Sequence, residues 1–186
     1  MRTCIKVLRE LEEAARRWNL GAVKELVREA ARRCGPGELR EALAARVAPA
    51  LAEAALRVAV ELYRRLEPAV GRGRALEAAL EEASGKLARL ESPCWLAEAA
   101  ARAVPQALAR LGWEGPRWPF AARLLVTLHL DCGGVPDGVL EAFGPEEAAA
   151  ILSFLEEGAA VLDAGPAPVA LYSSRLLLRG GRRSRP

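Results

Sequence analysis

The 186-residue chain has one histidine, His129, and only two side-chain amides, Asn19 and Gln106. Metal binding draws on the first residue type and the reading of base edges in nucleic acid on the second, so both start poorly supplied. The four cysteines, Cys4, Cys34, Cys94 and Cys132, are 30 to 60 residues apart in sequence, with no C-x-x-C pair. That spacing argues against a zinc site. Free, half-buried thiols are the default expectation, with the intracellular disulfides of hyperthermophiles left open. Gly71-Arg72-Gly73 and Gly133-Gly134 are too short to be phosphate-binding fingerprints, so neither cofactor nor metal is expected. Long apolar runs are missing too: charge breaks up the first ten residues, and no stretch approaches the roughly 20 apolar residues of a membrane span. The chain is therefore expected to be soluble and cytoplasmic, with no membrane partner.

What is present is 38 Ala, 29 Leu and 24 Arg against 3 Lys, in a chain that is 52% hydrophobic. Alanine and leucine favour helix, and this length buries a core without staples, so the fold class reads as mainly α. The Arg- and Glu-rich, amide-poor balance is also thermophile-like. The net charge of +3 is unevenly spread. Residues 1–117 hold 21 basic and 16 acidic residues, 118–186 hold 6 and 8, and Arg179, Arg182, Arg183 and Arg185 crowd the last eight positions.

Apolar periodicity predicts an antiparallel pair of helices, one carrying Cys4, Leu8, Leu11, Ala15 and Trp18, the next Val23, Leu26, Val27, Ala30 and Cys34, ended by Gly35-Pro36-Gly37. From Glu38 to Glu67 the row Leu39, Leu43, Val47, Leu51, Ala54, Val58, Leu62 and Leu66 keeps helical period, with Pro49 predicting a bend at 45–48. Pro68 and the Gly71 loop end it. A further helix spans Leu76 to Leu90, and Ser92-Pro93 opens another, with Ser92 as its cap and a smooth alanine-rich face. Two prolines and two glycines then interrupt the pattern. These features divide the chain into a helical domain (1–112), a linker (113–119), a small domain (120–178) and a basic flexible tail (179–186).

In the small domain, short helices at 120–131, 136–143 and 146–157 precede two apolar runs, 160–162 and 169–172, that read as a β-hairpin. Three short helices followed by a hairpin resemble the winged helix-turn-helix family over Leu124 to Leu162. The resemblance implies a helical bundle followed by a winged-helix-like domain, and a third helix that enters the DNA major groove. Here that helix, Pro145 to Glu157, carries four carboxylates and no cation, which opposes such an entry. Arg123 and His129 resemble the R-x4-6-H motif of HEPN ribonucleases, which implies a catalytic pair, although on a helix the two side chains stand about 120° apart. Cys94, near a helix start where a thiolate is favoured, has no general base beside it in sequence.

These readings favour a non-catalytic subunit or adaptor of a nucleic-acid-associated assembly. Trp113 and Trp118 would contact a protein partner, and Arg117, Arg175, Arg179, Arg182, Arg183 and Arg185, with the pairs Arg16-Arg17, Arg32-Arg33 and Arg64-Arg65, would contact a DNA or RNA backbone. A winged-helix transcription regulator, a HEPN-like ribonuclease and a purely structural assembly protein are the alternatives; the oligomeric state is left open.

Overall fold

Helix α1 (Cys4–Arg16) starts where Thr3 accepts a hydrogen bond from the Lys6 N–H, and buries Val7, Leu8, Leu11, Ala14 and Ala15. It ends in an unusual cap. The Trp18 and Asn19 N–H groups donate back to Ala15 and Ala14, and Trp18, at φ 54°, fills the left-handed position that glycine normally takes. Asn19 then caps α2 (Leu20–Arg33) by accepting from the Ala22 N–H. Of α2 only Ala30 is fully buried. The computed structural model describes residues 2–157.

Pro36 begins α3 (Pro36–Ala42), which continues through a π-helical turn, Leu43–Val47, into α4 (Ala48–Val70). That turn is where the sequence predicts a bend. Pro49 lacks an N–H and its ring crowds the carbonyl four residues back, and a wider turn just ahead of it accommodates both defects. The first half of α4 is buried nearly all round, with Ala48, Ala50, Leu51, Ala52, Ala54, Ala55, Leu56, Ala59 and Val60 inside, so α4 is the central helix of the fold. It runs through Pro68 and stops at Gly71, whose φ of 84° suits glycine.

Helix α5 (Arg72–Leu87) turns back along α4, and a short 3-10 turn, Ala88–Leu90, leads to α6 (Cys94–Arg110). Pro93, not Ser92, takes the cap position, and no side chain caps α6. Its alanine face, Ala97, Ala100, Ala101 and Ala107 with Val104, lets α4 approach closely. Beyond residue 117 come α7 (Trp118–Asp131), α8 (Asp137–Phe143) and α9 (Pro145–Glu157).

These last three helices lie within two residues of the expected positions, but the expected fold class is corrected. Every element among the described residues is helical, with no strand and no sheet, which conflicts with a winged-helix-like domain carrying a β-hairpin. The expected hairpin, at 160–172, lies outside the described residues. The physical reason for the correction is the burial of α7. Ten of its side chains, from Trp118 to Leu128, are buried, and the helix packs against α5 and α6 as well as α9. Phe120, Leu124 and Leu128 thus share one core with Leu80, Leu87 and Leu108 from the other side of 113–119. A stretch as apolar as Phe120 to Leu128 satisfies the spacing of a first winged helix equally well when it is a core helix of a larger bundle.

A second correction concerns the thiols. Cys4 and Cys34 form one disulfide and Cys94 and Cys132 another, so none of the four is free. Both bridges follow one rule: each joins the first residue of a helix, α1 or α6, to the residue just after the end of its antiparallel neighbour, α2 or α7. Glu38 lies near the Cys4 and Cys34 sulfurs, but both are engaged in the bridge and are not available as metal ligands in this state.

Candidate docking surface

The residues singled out in sequence do not converge on one site. Glu147 on α9 caps the start of α7: its carboxylate accepts from the Trp118 N–H at 2.9 Å, the Arg117 N–H at 3.1 Å and the Arg117 Nε at 2.9 Å, while Arg117 Nη2 donates to the Phe143 carbonyl. The Arg117 charge is thereby engaged within the fold. Trp118 is buried against Phe154, and Trp113 stands edge-on to both Tyr63 and Phe120 while its Nε1 donates to the Pro116 carbonyl. Both rings hold the 113–119 segment to the core.

Arg123 forms a two-pronged ion pair with Glu91, through Nε and, at 3.0 Å, through Nη2. His129 is exposed in the last turn of the same helix and takes no part in that pair. Arg175, Arg179, Arg182, Arg183 and Arg185 lie outside the described residues. Of the arginine pairs, Arg16 and Arg17 bind Glu12 and Glu13, Arg33 binds Glu29, and Arg64 donates to the Leu111 carbonyl at 2.6 Å, closing the end of α6. Five of the chain's 27 cations and one of its 24 acids lie beyond residue 157, so the described residues carry 22 against 23 and are close to neutral.

The structure instead isolates a different surface, the tip where α4 turns into α5. Past Val60, exposure along α4 increases: Arg64, Arg65 and residues 67–72 are all exposed, while Tyr63 still packs against the core. Along the second half of α4, Val58, Leu62, Leu66 and Val70 recur every four residues, forming a ridge about 18 Å long at 1.5 Å per residue. Val58 is 38% and Val70 42% exposed, and Leu62 and Leu66 are half-buried. A row of this spacing is the kind of ridge that one helix inserts into the groove of another.

The ridge is flanked by cations. Arg65, Arg72 and Arg74 are exposed and form no ion pair among the described residues. Arg72 and Arg74 sit in the first turn of α5, which has neither a side-chain cap nor an acidic residue. Cations there face the positive end of the helix dipole, and the exposed carboxylates of Glu61 and Glu67 lie on the adjoining stretch of α4. Burial first, then the Glu67 carboxylate that accepts its hydrogen bond, raise the pKa of the Tyr63 phenol above the usual 10.0, while Arg72 acts in the opposite sense.

The sequence lists Val58, Leu62 and Leu66 as periodic apolar positions but does not mark them as a surface. The available signal is their spacing: four-residue steps drift about 40° each around a helix, so a long row at that interval cannot stay on one buried face.

No protein-family model matches the chain, and no curated protein or solved structure does either. No helix among the described residues is long and apolar enough to cross a membrane.

Proposed function

We propose that this chain is a non-catalytic helical adaptor of a nucleic-acid-associated assembly, and that it holds a protein partner on the α4–α5 tip. The observation that carries this reading is the apolar row Val58–Leu62–Leu66–Val70, partly exposed along the second half of α4, with Arg65 exposed next to it in the helix. Removing what remains exposed of these four side chains from water is worth roughly 1 kcal/mol each, about 4 kcal/mol together. Association itself costs at least about that much, so the ridge needs help from its charged border to hold a partner.

A second reading keeps the phosphate contacts: Arg65, Arg72 and Arg74 also suit a nucleic-acid backbone. Three phosphate contacts would give log K a slope of about −3 against log salt. The deciding experiment is native capture on the immobilised chain, with and without nuclease, beside the Leu62→Glu/Leu66→Glu variant. Protein docking predicts retention that survives nuclease and is lost in the variant. Retention that nuclease abolishes supports the backbone reading and contradicts docking.

A further inference from the structure

We infer that Cys4, Cys34 and Glu38 become a divalent-metal site of zinc type once the Cys4–Cys34 bridge is reduced, and that the bound ion then ties α1 to α2 in place of the disulfide. This inference is independent of the docking reading above. Its basis is a meeting of donors from three helical segments. Cys4 is the first residue of α1, Cys34 follows the last residue of α2, and Glu38 stands in the first turn of α3. The two sulfurs and a Glu38 carboxylate oxygen all lie within 4.8 Å of one another. Among the described residues no histidine or carboxylate stands in this relation to the Cys94 and Cys132 sulfurs, so the two bridges differ in kind. The absence of a C-x-x-C pair argues against zinc in the sequence, but here the two thiols meet across antiparallel helices, which spacing along the chain does not show.

Geometry and charge both suit the ion. Two sulfurs at about 2.3 Å from a tetrahedral zinc stand roughly 3.8 Å apart. The Cα atoms of Cys4 and Cys34 are 5.2 Å apart, so turning the two side chains provides that separation with the backbone in place. Glu38 is exposed and enters no ion pair among the described residues, which leaves its carboxylate at hand. Two thiolates and a carboxylate carry one negative charge more than a divalent ion neutralises. Arg33, next to Cys34, donates to the Arg2 carbonyl at 3.0 Å and so sets a guanidinium, shared with Glu29, at this end of the α1–α2 pair. Water completes the fourth position, as in other open three-ligand sites. Reaching the reduced state takes two electrons and two protons. A dithiol reductant supplies both and leaves as its own disulfide, and the ion then displaces the two thiol protons to solvent.

The test uses the full chain, reduced with a phosphine, freed of reductant by gel filtration under nitrogen, and titrated with Co2+, whose absorption reports thiolate ligands and tetrahedral geometry. The reduced wild type is expected to show thiolate-to-cobalt charge transfer and to release the Co2+ to Zn2+; the oxidised chain is expected to show no such band. Glu38→Gln should weaken binding about tenfold or more, and Cys4→Ser/Cys34→Ser should abolish it, while Cys94→Ser/Cys132→Ser keeps it. Hydrogen exchange tests the restapling: exchange of residues 20–33 should quicken on reduction and slow again with Zn2+. Absence of the band in the reduced wild type, an equal band in Cys4→Ser/Cys34→Ser, or an affinity indifferent to Glu38→Gln overturns the inference. So does exchange of residues 20–33 that Zn2+ leaves unchanged, or a reduced chain that loses its helical circular dichroism and does not regain it with Zn2+.

Discussion

Replacing Cys4 and Cys34 by serine opens a loop whose ends are 30 residues apart in sequence, and replacing Cys94 and Cys132 opens one of 38. In the chain-entropy description, closing loops of these lengths removes about 12 to 13 cal/mol/K from the unfolded state, or about 3.6 and 3.9 kcal/mol at 25 °C. Domains of this size are stable by about 5–15 kcal/mol, so either bridge accounts for a large share. The two losses should nevertheless look different. The first bridge encloses only α1 and α2, and α2 has a single fully buried residue, Ala30, with Leu20, Val23, Leu26 and Val27 only half-buried against the core, so without the staple this helix is the one expected to open locally. The second joins α6 to α7, whose alanine and leucine faces are central to the core, so its loss lowers the stability of the whole.

Urea unfolding followed by circular dichroism should therefore show Cys94→Ser/Cys132→Ser less stable by about 2–4 kcal/mol, with a slope no shallower than the wild type's because the unbridged unfolded chain is less compact. Cys4→Ser/Cys34→Ser should show its largest effect in hydrogen exchange, as faster exchange confined to residues 20–33. A loss below about 1 kcal/mol for both variants, or equal acceleration of exchange throughout α2 in both, would refute this reasoning.

Three further outcomes follow from the packing. Glu147→Ala leaves the Arg117 guanidinium and two N–H groups at the start of α7 without their acceptor and should cost about 2–3 kcal/mol in thermal or urea unfolding, with Glu147→Gln losing less. Ala100→Leu adds volume to a fully buried face and should cost at least about 1–3 kcal/mol, while Leu152→Ala, at a half-exposed position on α9, should stay within about 0.5 kcal/mol. Tyr63 should ionise above pH 10.0 by ultraviolet difference titration, and Glu67→Gln should lower its pKa. Because its folded pKa is the raised one, the stability linked to it is present below the unfolded pKa and is lost as pH rises through the folded value.

Much of the helical layout is legible in the sequence because local signals set it. Apolar period and Gly or Pro stops place α7, α8 and α9 within two residues, and Pro49 marks the π-helical turn before α4. What depends on how helices pack is not legible. Four cysteines allow three pairings, and only the directions of α1 and α2, and of α6 and α7, bring Cys4 to Cys34 and Cys94 to Cys132. The winged-helix spacing was met by helices that bury themselves against α5 and α6, because spacing along the chain carries no record of what covers a helix.

The tip illustrates the same limit. Val47, Leu51 and Ala54 are core while Val58, Leu62 and Leu66, in the same row, reach the surface, because α4 outlasts the helices that surround its first half. Arg117 likewise reads as a free cation in sequence, and only the arrival of Glu147 from 30 residues away engages it in an ion pair within the fold.

The most direct test of the docking account is hydroxyl-radical footprinting of the chain alone and with its captured protein partner bound. The account predicts that oxidation of Val58, Leu62, Leu66 and Val70 falls together on binding, while Leu130 and Leu152, 50% and 49% exposed at the other end of the chain, react as before. Protection at Leu130 and Leu152 with the ridge unchanged would contradict it.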